Sequence, residues 1–123
     1  MGERDRSVVS IVDDDASLRR SVRNLLRSVG FRVETFASAE EFLRSAEREN
    51  VGCLVLDLRM TGMSGLDVLR HLAAVSSGVA VVVLTALSDE ETHQRCLQAG
   101  AVAFLKKPFH GDALLDAIRA ALD

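Results

Sequence analysis

Three acids in a row, Asp13, Asp14 and Asp15, follow an apolar run in the stretch SVVSIVDDDASLRR. Adjacent carboxylates repel, and burying them without a counter-charge is costly, so the cluster calls for a cation. Asp57 interrupts the otherwise apolar CLVLDLRM, Thr85 ends VAVVVLT, and Lys106 and Lys107 precede Pro108, the only proline in the chain. Each has a plain use by itself: Asp57 as a loop cap, Thr85 as a β-branched strand residue, either lysine as a solvated surface group. Brought together, they could do chemistry. Two or three converging carboxylates make a hard, oxygen-rich site for Mg²⁺, which keeps waters and takes few protein ligands. A hydroxyl at Thr85 and an ammonium at Lys107 could contact an anion held at Asp57, and the small Ala86 leaves room for a phosphoryl group. Lys107 is favoured over Lys106 because side chains alternate along a strand, and a cis Lys107–Pro108 bond would aim its ammonium back at the sheet edge.

These residues need elements to place them. Apolar, β-rich runs recur at residues 7–12, 31–36, 52–57, 79–84 and 102–106, and each precedes a helical stretch. The first, third and fourth are nearly continuous, as strands covered on both faces are, while the second alternates like an edge strand. The first helix carries Leu18, Val22, Leu25, Leu26 and Val29 on one face and stops at Gly30. Ser38 with Glu41, and Ser88 with Glu91, are capping boxes that open the second and fourth helices, and Gly100 stops the fourth. SGLDVLRHLAAV and GDALLDAIRAALD supply the third and fifth. This strict alternation predicts an α/β fold of (βα)5 type, a doubly wound five-stranded parallel sheet with flavodoxin-like order 2-1-3-4-5. Such sheets bind ligands outside the carboxyl ends of their strands, where the strand order reverses beside the first strand. The acidic triplet, Asp57, Thr85 and the lysine pair all fall on that edge.

With 123 residues, 48% hydrophobic and 27% charged, the chain has the size and balance of one globular domain spanning residues 1–123. A net charge of −3 gives no bulk attraction to nucleic acid or anionic lipid. No apolar run reaches membrane-spanning length, so a cytoplasmic protein with no membrane partner is expected. Cys53 and Cys96 lack metal-ligand spacing and fall on different predicted elements, so reduced thiols are expected.

VDDD, LVLDLRM, VVLTA and FLKKPF, in this order and spacing over essentially the whole chain, resemble the receiver domain of two-component response regulators. Any one motif is weak; four in register are specific. DLRMTGMSGLDVL and AGAVAFLKKPF look most like the FixJ-type branch. The resemblance implies a phosphoacceptor signalling domain that catalyses only its own phosphorylation and dephosphorylation. It makes Asp57 the acceptor of a phosphoryl group from a sensor histidine kinase, with Mg²⁺ held by Asp13, Asp14, Asp57 and the backbone carbonyl of Arg59. Thr85 would contact the phosphoryl oxygens, Lys107 would pair with them, and Phe104 stands at the position of the aromatic switch. Thr85 and Phe104 would then alter the face of helix four, strand five and helix five, through which the family dimerises or releases its output, here expected to be transcription. DNA would be met only through an output domain that this chain lacks.

Both charge signs in SDEETHQRCLQAG suit a salt-bridged symmetric dimer and equally a solvated helix. Arg19, Arg23 and Arg27 form a stripe on the first helix that is either solvated or a kinase contact, since the family docks its kinase with that helix and the adjoining loops. The chain departs from the family at Thr61, where proline usually follows the methionine. Arg59 and Leu87, two residues beyond Asp57 and Thr85, stand at positions that in the family tune how water reaches the acyl phosphate, and by that resemblance the bulk of Arg59 and the apolar Leu87 imply slow hydrolysis. VDDDAS also fits the D-x-D motif of haloacid dehalogenase-like phosphatases, with Asp13 as nucleophile and Asp15 as acid/base, but a clear late acidic pair is missing. A pseudo-receiver that binds partners without phosphorylation is disfavoured by the intact Asp, Thr and Lys set.

Overall fold

The structure, a computed structural model, describes residues 7–45, 50–59, 64–74, 78–86 and 90–122. Thr61, Leu87 and the Ser88 cap lie outside the described residues. The order is β1 (Val8–Val12), α1 (Ala16–Ser28), β2 (Arg32–Phe36), α2 (Ala39–Leu43), β3 (Val51–Asp57), α3 (Gly65–Ala74), β4 (Ala80–Thr85), α4 (Glu90–Gln98), β5 (Ala103–Lys106) and α5 (Gly111–Leu122). The five strands are parallel and lie in the order β2-β1-β3-β4-β5, as the sequence predicts.

Side-chain alternation along the strands divides the interior into two cores. Val8 and Val12 of β1, with Leu54 and Leu56 of β3, pack under Phe42 of α2, Val68, Leu69 and Leu72 of α3, and Cys96 of α4. Val9 and Ile11, with Cys53 and Val55, face the other way, under Val22 and Leu26 of α1 and Leu114, Leu115 and Ile118 of α5. Covered on both sides, β1 and β3 are buried along their whole length, which is why they read as unbroken apolar runs. The edge strand β2 exposes Arg32 and Glu34 and buries Val33 between them, hence its alternation.

Ser10, in the middle of β1, is the exception: it is fully buried, and its Oγ has no hydrogen-bond partner among the described residues. An unpaired buried hydroxyl is a liability. Ser10→Ala is therefore expected to raise stability by roughly 0.5–1 kcal/mol, measured by urea unfolding; a loss of that size would reveal an acceptor that the hydroxyl uses.

The helix ends follow the local code. Ser38 caps α2, its Oγ accepting from Glu41 N at 3.1 Å, while a Glu41 carboxylate oxygen accepts from Ala37 N at 3.4 Å. Gly30 and Gly100 follow α1 and α4 at φ of 97° and 108°, a left-handed turn that glycine adopts without penalty. There Gly30 N and Phe31 N return to the carbonyls of Arg27 and Leu26, and Gly100 N and Ala101 N do the same to Leu97 and Cys96. Val29 departs from expectation. It is the C-cap of α1 and 43% exposed, because the chain has already left the helix and turned away from the core.

Both cysteines are free and buried. Burial pushes the Cys53 thiol from 9.0 up to about 12, so the folded state holds its proton more tightly than the unfolded chain does. A raised folded value adds stability that is whole below pH 9.0 and is lost as pH climbs towards about 12. Cys53→Ala is accordingly expected to flatten the alkaline fall in unfolding free energy over that window.

Candidate functional site

The carboxyl ends of the central strands converge on one crevice. Asp13 directly follows β1 and is 2% exposed; Asp57 ends β3 and is 6% exposed; Thr85 ends β4, fully buried. One carboxylate oxygen each from Asp13, Asp14 and Asp57 lie within 4.8 Å of one another. Lys107, just beyond β5, sets its Nζ 2.9 Å from Asp13 Oδ2 and 3.6 Å from Asp57 Oδ2. Its neighbour Lys106 is exposed, and the Lys107–Pro108 bond is cis. The backbone N–H of Lys107 also donates to the Thr85 carbonyl at 2.8 Å.

Local hydrogen bonds orient the acids. Asp57 Oδ1 accepts from Arg59 N at 3.1 Å, and Asp13 Oδ1 accepts from Asp15 N at 2.9 Å. Burial raises the pKa of Asp57 and the nearby charges of Asp13 and Asp14 add to the rise, outweighing the Arg59 N–H and the Lys107 charge that oppose it. Burial alone would lower the Lys107 ammonium, but its hydrogen bond to Asp13 and the charges of Asp13 and Asp57 hold it above the usual lysine range. The crevice thus carries an excess of acid over one lysine. Three carboxylate oxygens at this spacing are a fitting donor set for a hard divalent cation such as Mg²⁺.

The triplet splits into separate tasks. Asp13 points inward, Asp14 stands exposed at the mouth, and Asp15 turns away to cap α1, its Oδ1 accepting from Ser17 N at 2.9 Å and Leu18 N at 3.2 Å. That geometry leaves Asp15 unsuited to the acid/base role of the phosphatase reading. Reasoning from sequence missed this cap, although an aspartate just before a helical pattern is a start signal. It also missed the inward contact of Arg19, read from sequence only as part of the arginine stripe: its Nη1 donates to the Asp13 carbonyl at 2.7 Å. Phe104, on β5, is half-buried and stacks on His93 of α4, with ring centroids 4.6 Å apart and planes inclined by 22°. Nothing in the sequence pattern singled out His93. On α4 the opposite charges satisfy each other, with Arg95 on Glu91 at 2.6 Å.

A doubly wound sheet with an acidic crevice at its switch point defines a signalling fold of the receiver class, and the acidic cluster fits a phosphorylation site. The profile of the response regulator receiver domain family matches residues 9–119, and the chain belongs to that family. Over 118 residues it is 43% identical to nodulation protein W of Bradyrhizobium diazoefficiens, spanning 96% of this chain and 52% of that protein. Over 114 residues it is 40% identical to the transcriptional regulatory protein FixJ of Azorhizobium caulinodans, spanning 93% and 54%. The chain therefore spans about half the length of these curated relatives. Among solved structures, the response regulator StyR superposes with a TM-score of 0.86 at 51% identity, covering 94% of this chain and 58% of that one. FixJ-N superposes at 0.84 with 37% identity, covering 99% and 95%. The expected likeness to the FixJ branch is borne out.

Proposed function

We propose that this receiver domain takes a phosphoryl group from a sensor histidine kinase on Asp57. The observation that carries the reading is the placement of Asp57 at a strand end, nearly buried, between a carboxylate pair and the ammonium of Lys107. Asp13, Asp14, Asp57 and the Arg59 carbonyl would hold Mg²⁺, which when bound shares the charge on the transferred oxygens. Arg59 N fixes one oxygen of Asp57 and leaves the other facing the crevice. Thr85 and Lys107 meet the incoming phosphoryl oxygens, and the exposed Ala86 beside them leaves the approach open.

Helix α1 provides the kinase's footing. Leu18, Ser21, Val22 and Leu25 face Pro108 and Phe109 across an apolar groove of about 560 Å³, and Ala86 and Lys107 line its end. A kinase helix seated there would bring its phosphohistidine to the crevice. The output face lies on α4, β5 and α5; Leu97 of α4 and Val102, just before β5, are exposed by 41% and 55%. Phosphorylation, by adding negative charge that Thr85 and Lys107 follow, shifts the β4–β5 edge and with it Phe104. A homodimer through that face, and transcriptional output from a DNA-binding domain elsewhere in the full-length protein, complete the reading. Its compartment is the cytoplasm; no helix among the described residues is long and apolar enough to cross a membrane.

Incubation with acetyl phosphate and Mg²⁺, followed by intact-mass and peptide mass spectrometry, tests this directly. An acid-stable, base-labile phosphoryl adduct is expected on Asp57 and is expected to vanish in Asp57→Asn. An adduct on Asp13 with turnover would mean a phosphatase, and no adduct would mean a phosphorylation-independent binding module.

A further inference from the structure

On the side of α1 away from the apolar groove, Ala16, Arg19, Arg20 and Arg23 meet Thr35 of β2 around a polar crevice of about 220 Å³. Three arginines and a threonine thus line one small opening. Among the described residues, none of the three arginines has a carboxylate partner. Arg19 is anchored through its Nη1 to the Asp13 carbonyl, which makes it a fixed wall rather than a loose surface chain. Arg23 Nε is closed off from solvent and has no hydrogen-bond acceptor among the described residues. The rest of the half-buried Arg23 side chain lines the crevice, so three positive charges stand around one opening with no carboxylate to balance them among the described residues, which favours an anion there. Because β2 is the sheet edge, no further strand among the described residues closes the approach to Thr35.

The geometry points to an oxyanion site, separate from the Asp57 crevice, that takes the phosphate of a small phosphorylated metabolite. Guanidinium forks match phosphate oxygens in pairs, and a threonine hydroxyl can donate to a third oxygen. The volume lies below the roughly 300–1,000 Å³ of sites that enclose drug-sized ligands, which suits a phosphate on a short carbon stem rather than a whole nucleotide. The start of α1 lies next to Ala16 and adds the favourable end of the helix dipole, while Asp14 and Asp15 nearby oppose it. Binding is therefore weak and salt-sensitive, with millimolar metabolites as its natural ligands.

The test is an amide NMR titration of this chain in EDTA, with inorganic phosphate and with glycerol 3-phosphate, against sodium chloride at matched ionic strength. Saturating shifts are expected at Ala16, Arg20 and Thr35 with both phosphates and not with chloride. Arg20 is exposed, so Arg20→Gln keeps the fold and is expected to weaken binding about tenfold, the loss of one charge-assisted contact; Arg23→Gln should act in the same direction. Shifts that never saturate, shifts confined to Ala86 and Lys107, or an unchanged affinity in Arg20→Gln would each overturn the site. Saturation by inorganic phosphate alone would overturn the metabolite assignment.

Discussion

Lys107→Met is expected to destabilise the metal-free protein by about 2–3 kcal/mol at neutral pH, and millimolar Mg²⁺ is expected to restore most of that loss. The ammonium is the cation closest to Asp13 and Asp57 among the described residues, at 2.9 and 3.6 Å, and both carboxylates are nearly buried. Removing it leaves two carboxylates and the neighbouring Asp14 to repel one another in a poorly solvated crevice. The full penalty of a broken buried pair is about 3–5 kcal/mol; the side chain of Lys107 is 24% exposed, so solvent reduces it. A divalent cation bound only by the folded state adds stability by mass action, about 2.7 kcal/mol at a hundredfold excess over Kd, which is why it can substitute for the lysine. Urea unfolding in EDTA and in Mg²⁺ measures both effects. Equal stability of variant and wild type in EDTA would show that water, not Lys107, neutralises the acids.

Gly65→Ala is expected to cost about 3 kcal/mol, the upper end of the usual penalty for overpacking, and to slow phosphorylation of Asp57 by at least tenfold. A Cβ at Gly65 would sit 2.7 Å from Leu58 Cα and 2.8 Å from the Asp57 carbonyl oxygen. Neither is the end of a flexible side chain, so backbone must move. Gly65 N donates to the Leu58 carbonyl at 3.2 Å, which brings the start of α3 hard against the end of β3. Displacing that junction displaces Asp57 itself. Gly111→Ala is the control: its Cβ meets only the flexible end of the Leu25 side chain, Cδ2 at 3.2 Å and Cδ1 at 3.9 Å. Thermal melts and acetyl phosphate kinetics on both variants separate a local effect at the acceptor from a general loss of helix packing.

The elements were legible because their burial is legible. Strands covered on both faces cannot carry polar side chains cheaply, so β1, β3 and β4 announced themselves, and the polar residues that remained at their ends had to be used for something. Asp57 and Lys107 stood out for that reason. Contacts that join main chain to side chain left no such trace. Arg19 reads as one more basic residue on an amphipathic helix, and only the fold brings its guanidinium to the Asp13 carbonyl. Asp15 was counted with its neighbours because three acids in a row look like one cluster, whereas the third is the cap from which α1 starts. Gly65 has an ordinary helical backbone, so the reason for a glycine there lies wholly in the proximity of β3.

The sheet's hydrogen bonding continues one residue past its strands at the three places that matter. Asp13 N reaches the Phe36 carbonyl, Leu58 N the Leu84 carbonyl and Lys107 N the Thr85 carbonyl. The reactive groups therefore sit at the last rung of a ladder and not on the loops that leave it. Their spacing is held to the tolerance of backbone pairing, a few tenths of an ångström, while the residues beyond are released to vary in length and composition. A relative can lose or gain loop residues beyond these rungs and keep the distance from carboxylate to ammonium unchanged.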